Sequence, residues 1–239
     1  MPRITVVSLE GIGKWISSVG FEEEDIIQLQ QSLIYTMLHQ IFRKHGGFVL
    51  PVSYNNFIVL SNGISRDVHE EIHSFLSEQI PFKIRLVSVI HPYPFTAQLK
   101  ASSILNETTM SFYYENGDED PNVVLFLDVS GFIKALEITF FESYINIMEI
   151  YSHMLSIITR YGGLACYLGG SIILGVMPMD TYKRIMDVLP DYIRAGIGIS
   201  MRPRKAVGLA RKALYELKQK TSTTDKYLVY VDDSIPKQK

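Results

Sequence analysis

The chain has a single cysteine, Cys166, among its 239 residues, so no disulfide can form within it. It also lacks an excess of either charge: 25 acidic residues face 23 Lys and Arg, and the formal net charge is −2. Without a surplus of positive charge, nonspecific binding to nucleic acid or to acidic membranes is not expected. The N-terminal residues Met-Pro-Arg-Ile-Thr carry no signal-peptide core, and together with the missing disulfides they predict a cytoplasmic protein.

Several common catalytic and metal-binding patterns are missing as well. There is no glycine-rich phosphate-binding loop and no Ser-His-Asp order. The six histidines do not combine with Cys166 at the spacing of a zinc site. The uncharged stretch 161–179 is long enough for a membrane span, but its five glycines and Pro178 predict a buried β-hairpin instead.

What the sequence does contain is an internal repeat. An apolar run that ends at Glu10 recurs as an apolar run that ends at Asp128, 118 residues later. A Gly-Gly pair that begins at Gly46 recurs at Gly162, 116 residues later, and each pair precedes an apolar hairpin. Because the order is kept and the spacing nearly so, the sequence predicts two tandem domains of the same fold.

Each half predicts the order strand, helix, two hairpin strands, helix, strand and helix. Apolar residues recur every three to four positions in 26–41 and 144–158, which indicates helices packed against a sheet. The fold class is therefore α+β, with two ferredoxin-like or palm domains, each an antiparallel sheet with its helices on one face. The predicted boundaries are 1–110 for the first domain, 111–122 for an acidic linker, and 123–239 for the second domain.

The second half contains the best candidate for a site. Asp128 ends a predicted buried strand, and Gly169, Gly170 and Ser171 form the tip of the hairpin that should lie beside it. A carboxylate at a strand end can ligate Mg²⁺, and paired glycines let a phosphate approach the backbone. A purely structural interpretation, a tight turn with Asp128 capping a loop, remains open.

The residues around these positions resemble archaeal GTP cyclohydrolase III, a family of tandem palm-like domains related to nucleotide cyclases. The resembling segments cover both halves and include 13–15, 61–64, 93–101, 127–128, 143–146, 168–170 and 194–199. The family carries an Asp at the end of each first strand and another on each hairpin. Of these four positions only Asp128 is unchanged, and Glu10, Asn55 and Ser171 stand at the other three.

The resemblance implies a Mg²⁺-dependent hydrolase that opens the imidazole ring of GTP to a formylaminopyrimidine nucleotide and releases phosphate. It implies that Asp128 ligates the metal and that Glu10 can serve a second metal site. The residues expected to bind the nucleotide and its phosphates are Gly131, Phe132, Gly169, Gly170, Ser171 and Arg202. No residue is identified as the catalytic base. The expected partners are GTP and further copies of the chain, with no nucleic acid and no membrane.

Two assignments stay open between function and structure. Glu142 and Asn146 lie one helical turn apart, where related palm domains read the base, and a carboxylate there can accept hydrogen bonds from guanine. Glutamate is also favoured at a solvated helix start. The basic residues in and before the last helix fit either a triphosphate or a solvated helix face: Arg202, Arg204, Lys205, Arg211 and Lys212.

The replaced hairpin carboxylates also leave a second function open. A protein that has lost them can still bind a purine nucleotide without hydrolysing it, as a sensor or regulatory protein.

Overall fold

The structure is a computed structural model that describes residues 1–20, 22–53, 55–135, 138–219 and 225–235, apart from the side chains of Phe132 and Ala135. The chain divides into two compact units, each built around its own five-stranded sheet. The first unit contains Pro2–His91 and Ala97–Glu119. The second unit contains Met1, Pro92–Thr96 and Asp120–Lys239.

The first unit begins with a buried strand and continues through helices and a hairpin. Its sheet has the strand order β2-β3-β1-β4-β5, with β1 antiparallel to β3 and β4, and β5 parallel to β4. The apolar faces of α2 and α3 pack against the sheet to form its core. In chain order the elements are β1 (Arg3–Glu10), α1 (Ile12–Ser18), α2 (Glu24–Lys44), β2 (Phe48–Pro51), β3 (Asn56–Leu60), α3 (Arg66–Gln79), β4 (Lys83–Ile90), α4 (Pro94–Glu107) and β5 (Phe112–Tyr114).

The second unit repeats this order element by element. Its sheet runs β7-β8-β6-β9-β10, the same arrangement as in the first unit, with β10 parallel to β9. Every residue of β6 is buried. The elements are β6 (Asn122–Asp128), α5 (Ser130–Ala135), α6 (Phe140–Arg160), β7 (Leu164–Gly169), β8 (Ile172–Met177), α7 (Tyr182–Val188), β9 (Arg194–Ser200), α8 (Pro203–Gln219) and β10 (Tyr227–Val231).

The predicted α+β fold is confirmed, because both units place the first strand between the hairpin and the strand that follows it. The uncharged stretch 161–179 forms the hairpin β7–β8, as predicted. Among the residues that the structure describes, no helix has the length and apolar character needed to cross a membrane.

The helices of the second unit lie on both faces of its sheet, which differs from the single-faced packing expected from the sequence. The odd-numbered residues of β9 belong to the core with α6 and α7. On the other side, a Cβ added to Gly196 would come 2.1 Å from the carbonyl oxygen of Ala210, and one added to Gly198 would come 2.0 Å from that of Ala206. Because successive strand residues face opposite sides, α8 packs on the face opposite to α6 and α7.

The segment expected as a linker, 111–122, contains a strand instead. Residues Phe112–Tyr114 form β5 and pair in parallel with Leu86–Ser88 of β4. A strand of three residues is too short to show a period, and the acidic residues that follow it suggested a surface loop. Residues 112–114 are therefore not part of a linker, as the sequence had suggested, but an edge strand of the first sheet.

Candidate functional site

The hairpin tip and the end of β6 meet in the second unit. Asp128 lies opposite Ile172 in the β6–β8 ladder. The hydroxyl of Ser171 donates to Oδ1 of Asp128 at 2.6 Å, and the N–H of Val129 donates to the carbonyl of Ser171 at 3.1 Å. The geometry therefore brings together the two features that the sequence placed as neighbours.

Asp128 is a buried carboxylate, 2 % exposed, and four donors surround it. Beside the Ser171 hydroxyl, Oδ1 accepts the backbone N–H of Ser130 at 3.1 Å, and Oδ2 accepts the Ser130 hydroxyl at 2.6 Å and the Lys218 ammonium at 2.7 Å. Burial alone would raise the pKa of Asp128, but these hydrogen bonds, led by that of Lys218, hold it below the usual value. Asp128 is therefore ionised at neutral pH, and Lys218 balances its charge.

Lys218 and Ser130 were not among the residues singled out from the sequence. Ser130 follows Asp128 by two positions, the spacing at which an Asp side chain commonly bonds its own backbone in a turn. Lys218 comes from the end of α8, whose 17 residues are about 25 Å long. The seven residues of β9 span roughly 23 Å, so a helix that runs back along this strand returns its last turn to the end of β6. The similar lengths of β9 and α8 were the one feature of the sequence that could have predicted the position of Lys218.

The antiparallel ladder between β6 and β9 places Arg202 away from Asp128. Arg194 lies opposite Asp128, whereas Ser200 lies opposite Asn122 at the other end of the sheet. Arg202 follows Ser200, and its N–H donates to the Ser200 hydroxyl at 3.1 Å. Arg202 is therefore about 20 Å from Asp128 along the strand, and it does not join the centre around this carboxylate.

The glycines of the hairpin tip face open space. Gly169 and Gly170 have φ angles of 99° and 58°, in the left-handed region that favours glycine. No heavy atom lies within 4 Å of a Cβ added to either residue, and the same is true of Gly131. A ligand can therefore reach the backbone of this turn. The side chain of Phe132 lies outside the part of the chain that the structure describes.

Glu142 and Asn146 stabilise the start of α6 in this structure. Oε2 of Glu142 accepts the backbone N–H of Thr139 at 2.9 Å and its hydroxyl at 2.6 Å, while the Thr139 hydroxyl accepts the N–H of Glu142. This reciprocal arrangement is a capping box. The Asn146 amide donates to the carbonyl of Glu142 at 2.8 Å. Their contacts therefore match the structural interpretation, a helix start.

The corresponding carboxylate of the first unit has a different environment. Glu10 is 39 % exposed and accepts hydrogen bonds from Lys83 at 2.7 Å and Arg85 at 2.9 Å. The hydrogen bond from Lys83 is the largest cause that lowers the pKa of Glu10. Oδ1 of Asn55 accepts hydrogen bonds from Ser53 and Asn56. The strand-end carboxylate of the first unit is thus more exposed than Asp128 and paired with two cations.

The resemblance implies Mg²⁺, which prefers several oxygen ligands in octahedral geometry. Within the described ranges, no group of three His, Cys, Asp or Glu residues could hold a metal ion. Around Asp128 the other oxygen donors are the hydroxyls of Ser130 and Ser171, and the Lys218 ammonium already neutralises the carboxylate. The described residues therefore do not form a metal site of the protein's own.

A family profile and two curated relatives of this chain carry the same description. A profile of the family described as GTP cyclohydrolase III matches residues 1–233. The protein named GTP cyclohydrolase III from Aeropyrum pernix is 28 % identical over 226 residues, covering 91 % of this chain and 92 % of that protein. The one from Saccharolobus solfataricus is 26 % identical over 225 residues, covering 93 % and 97 %.

One solved structure is that of a bacterial light-regulated adenylyl cyclase. The alignment covers 96 % of this chain and 85 % of the cyclase chain. Its TM-score of 0.35 and identity of 11 % are too low to support a conclusion. The profile, in contrast, spans nearly the whole chain, both units included, and confirms the resemblance found in the sequence. This chain belongs to the GTP cyclohydrolase III family.

Proposed function

We propose that this protein is a GTP cyclohydrolase that binds the triphosphate of GTP in its second unit, beside Asp128. One observation carries the choice of unit: Asp128 is a buried, ionised carboxylate that meets an open Gly-Gly turn and the Lys218 ammonium. Membership of the family supports GTP as the substrate.

The centre offers donors suited to phosphate oxygens. Lys218 brings a positive charge and an N–H donor, and the turn at Gly169 and Gly170 brings accessible backbone, while the hydroxyls of Ser130 and Ser171 donate to Asp128. Hydrogen bonds between charged donors and phosphate are stronger than those between neutral groups. Asp128 acts here as a positioning residue, because its carboxylate holds Lys218 and both hydroxyls in place.

The family suggests a divalent ion, and we assign it as Mg²⁺ that enters as part of the substrate. Mg²⁺ usually keeps several waters and binds substrate phosphates. An ion held by the triphosphate and its own waters needs no group of protein ligands, and none is found around Asp128 among the described residues.

The proposed reaction consumes water. The oxygen of one water adds to C8 of the guanine, the C8–N9 bond breaks, and the carbon remains on N7 as a formyl group, which gives the formylaminopyrimidine. A separate hydrolysis at phosphorus releases phosphate. The contribution of this chain is to bind and orient the triphosphate, since fixing reactant geometry removes much of the entropic barrier.

The test is incubation of the purified protein with GTP and MgCl₂, with phosphate release and the loss of purine absorbance followed together. Both signals are expected with GTP, and a matched reaction with ATP serves as control. Turnover at the wild-type rate in Asp128→Ala would refute the placement of the site beside Asp128. Tight nucleotide binding without either signal would instead make the protein a nucleotide sensor.

We also propose that the protein acts in the cytoplasm as a homo-oligomer. Exposed apolar side chains at the starts of α2 and α6, such as Leu29, Phe140 and Phe141, at 60 %, 88 % and 60 % exposed, support self-association. Light scattering of the purified chain measures its mass in solution, and a monomer at all concentrations would refute the oligomer.

A further inference from the structure

Lys218 lies beside Asp128 where the family resemblance implies a divalent metal. We propose that its ammonium group is a built-in cation that replaces a protein-bound metal at this centre and contacts a phosphate of the bound nucleotide. The identity of the ligand rests on the proposed function, whereas the replacement of the metal does not.

The first argument is that the carboxylate of Asp128 has no free acceptor position. An ionised carboxylate offers about four lone-pair sites. Two donors reach Oδ1, from the Ser171 hydroxyl and the Ser130 N–H, and two reach Oδ2, from the Ser130 hydroxyl and Lys218. A metal ion would have to displace at least one of them.

The second argument is electrostatic. A dication ligated by Oδ2 would lie next to the Lys218 ammonium, which is 2.7 Å from the same oxygen, and like charges this close repel each other. The hairpin residue Ser171 is a hydroxyl where the family has a second carboxylate, so the centre has one negative charge and one positive charge. A metal ion would therefore add charge that nothing in the centre neutralises.

The third argument is that Lys218 can reach a ligand. An ammonium group has three N–H donors. Two of them point to acceptors in the centre, Oδ2 of Asp128 at 2.7 Å and the hydroxyl of Ser130 at 3.2 Å. The side chain is 45 % exposed, so the third donor is available to a phosphate oxygen.

The first experiment measures thermal unfolding of the nucleotide-free protein in EDTA and in rising MgCl₂. The wild type should melt at the same temperature throughout. So should Lys212→Ala, a control on the same helix whose side chain is 65 % exposed. Lys218→Ala should melt higher as Mg²⁺ rises, because the freed carboxylate can bind the ion and binding to the folded state stabilises it. The double variant Lys218→Ala/Asp128→Asn should lose this response.

Two results would overturn the proposal. One is a rise in the wild-type melting temperature with Mg²⁺ that Asp128→Asn abolishes, which would make the metal resident despite Lys218. The other is a Lys218→Ala protein that does not respond to Mg²⁺ at all, since the lysine would then not be standing in for an ion.

The second experiment tests the contact with phosphate, by calorimetry with guanosine 5′-(β,γ-imido)triphosphate. In EDTA, Lys218→Ala should bind about tenfold or more weakly than the wild type, since hydrogen bonds to charged groups are worth this much. Lys218→Arg should retain most of the affinity, and Mg²⁺ should restore part of it to Lys218→Ala. Equal affinity of wild type and Lys218→Ala in EDTA would refute the contact. A wild type that does not bind the analogue in MgCl₂ would refute the proposed function. The melting experiment would still test whether Lys218 replaces the metal.

Discussion

The two units share one strand order but differ in the polar groups that they bury along the first strand. In the first unit a buried network lies near the start of β1, where the Thr5 hydroxyl is hydrogen-bonded to Ser61 at 2.7 Å and to His69 and Ser88 at 3.0 Å. All four residues are fully buried. This network joins β1, β4 and the residue that follows β3 to α3. None of its four members is exposed, so it stabilises the fold and offers nothing to a ligand.

The second unit has apolar residues at the matching step of its ladder. Thr5 lies opposite Ser88 in the first sheet, and Val123 lies opposite Ile199 in the second. The second unit buries two carboxylates: Asp232 accepts the Ser200 hydroxyl near the start of β6, and Asp128 stands at the other end of the strand, next to the hairpin tip. The repeat has thus preserved the scaffold while the polar side chains diverged. The carboxylate at the end of the first strand shows this most clearly, because the Asp128 side chain is 2 % exposed and the Glu10 side chain is 39 % exposed.

The largest effect is expected where α8 approaches the second sheet. Gly198 lies opposite Val124, whereas the first unit has Val87 opposite Val6. Because a Cβ at Gly198 would come 2.0 Å from a backbone oxygen of α8, Gly198→Ala should destabilise the protein by more than about 3 kcal/mol. Urea unfolding gives the free energy.

The control for this prediction is Gly208→Ala on the exposed side of the same helix. No atom lies within 4 Å of a Cβ there, and replacing a helical glycine by alanine stabilises by about 0.5–1 kcal/mol. Equal stability of Gly198→Ala and the wild type would show that α8 does not pack this closely on the sheet.

The polar network of the first unit should make that unit sensitive to acid. Burial lowers the pKa of His69 from 6.5 to about 4. The folded state therefore resists protonation of His69, so stability is unaffected above pH 6.5, falls as the pH decreases towards 4, and then levels off. The total loss is about 3 kcal/mol.

The measurement for His69 is the unfolding free energy at intervals between pH 7 and pH 4. His69→Gln cannot be protonated and should show a smaller loss over this range, even if its stability at pH 7 is lower. The difference between the two profiles isolates the histidine from the carboxylates. Parallel profiles would mean that folding does not lower the pKa of His69.

The next prediction tests which unit carries the site. Asp128→Asn removes the charge that positions Lys218, so GTP turnover should fall about 100-fold, equivalent to about 2.7 kcal/mol. Glu10→Gln makes the same chemical change in the first unit and should alter turnover by less than about threefold. Steady-state phosphate release measures both, and the reverse order would assign the site to the first unit.

The sequence predicted the fold better than it predicted the site. The offset between Glu10 and Asp128 was enough to find the two units, and the neighbourhood of Asp128 and Ser171 follows from the ferredoxin-like strand order. The face on which α8 packs was not predicted, because glycines in a strand leave no periodic pattern. Lys218 was missed because its contact with Asp128 depends on the direction and length of a helix 90 residues further along the chain.

The smallest effect concerns the hairpin position that lost its carboxylate. Ser171→Asp would put a second carboxylate where the Ser171 hydroxyl now lies, 2.6 Å from Oδ1 of Asp128. Two carboxylates this close repel each other, and Lys218 neutralises only one of them, so a bound Mg²⁺ would turn the repulsion into coordination. The stability of Ser171→Asp should therefore increase with Mg²⁺, by about 1.4 kcal/mol at a concentration near ten times its dissociation constant.

The matched change in the first unit is Asn55→Asp, and there the Mg²⁺ response should be absent. The Asn55 side chain is hydrogen-bonded to Ser53 and Asn56, and Glu10 is already paired with Lys83 and Arg85. Melting curves of both variants across one Mg²⁺ titration compare the units directly. If Mg²⁺ stabilised Asn55→Asp alone, the hairpin of the first unit, and not that of the second, would be the one able to bind the metal. Identical melting of Ser171→Asp and the wild type at every Mg²⁺ concentration would mean that the hairpin tip does not face a metal-competent carboxylate, and that Asp128 serves only to hold β6, the hairpin and α8 together.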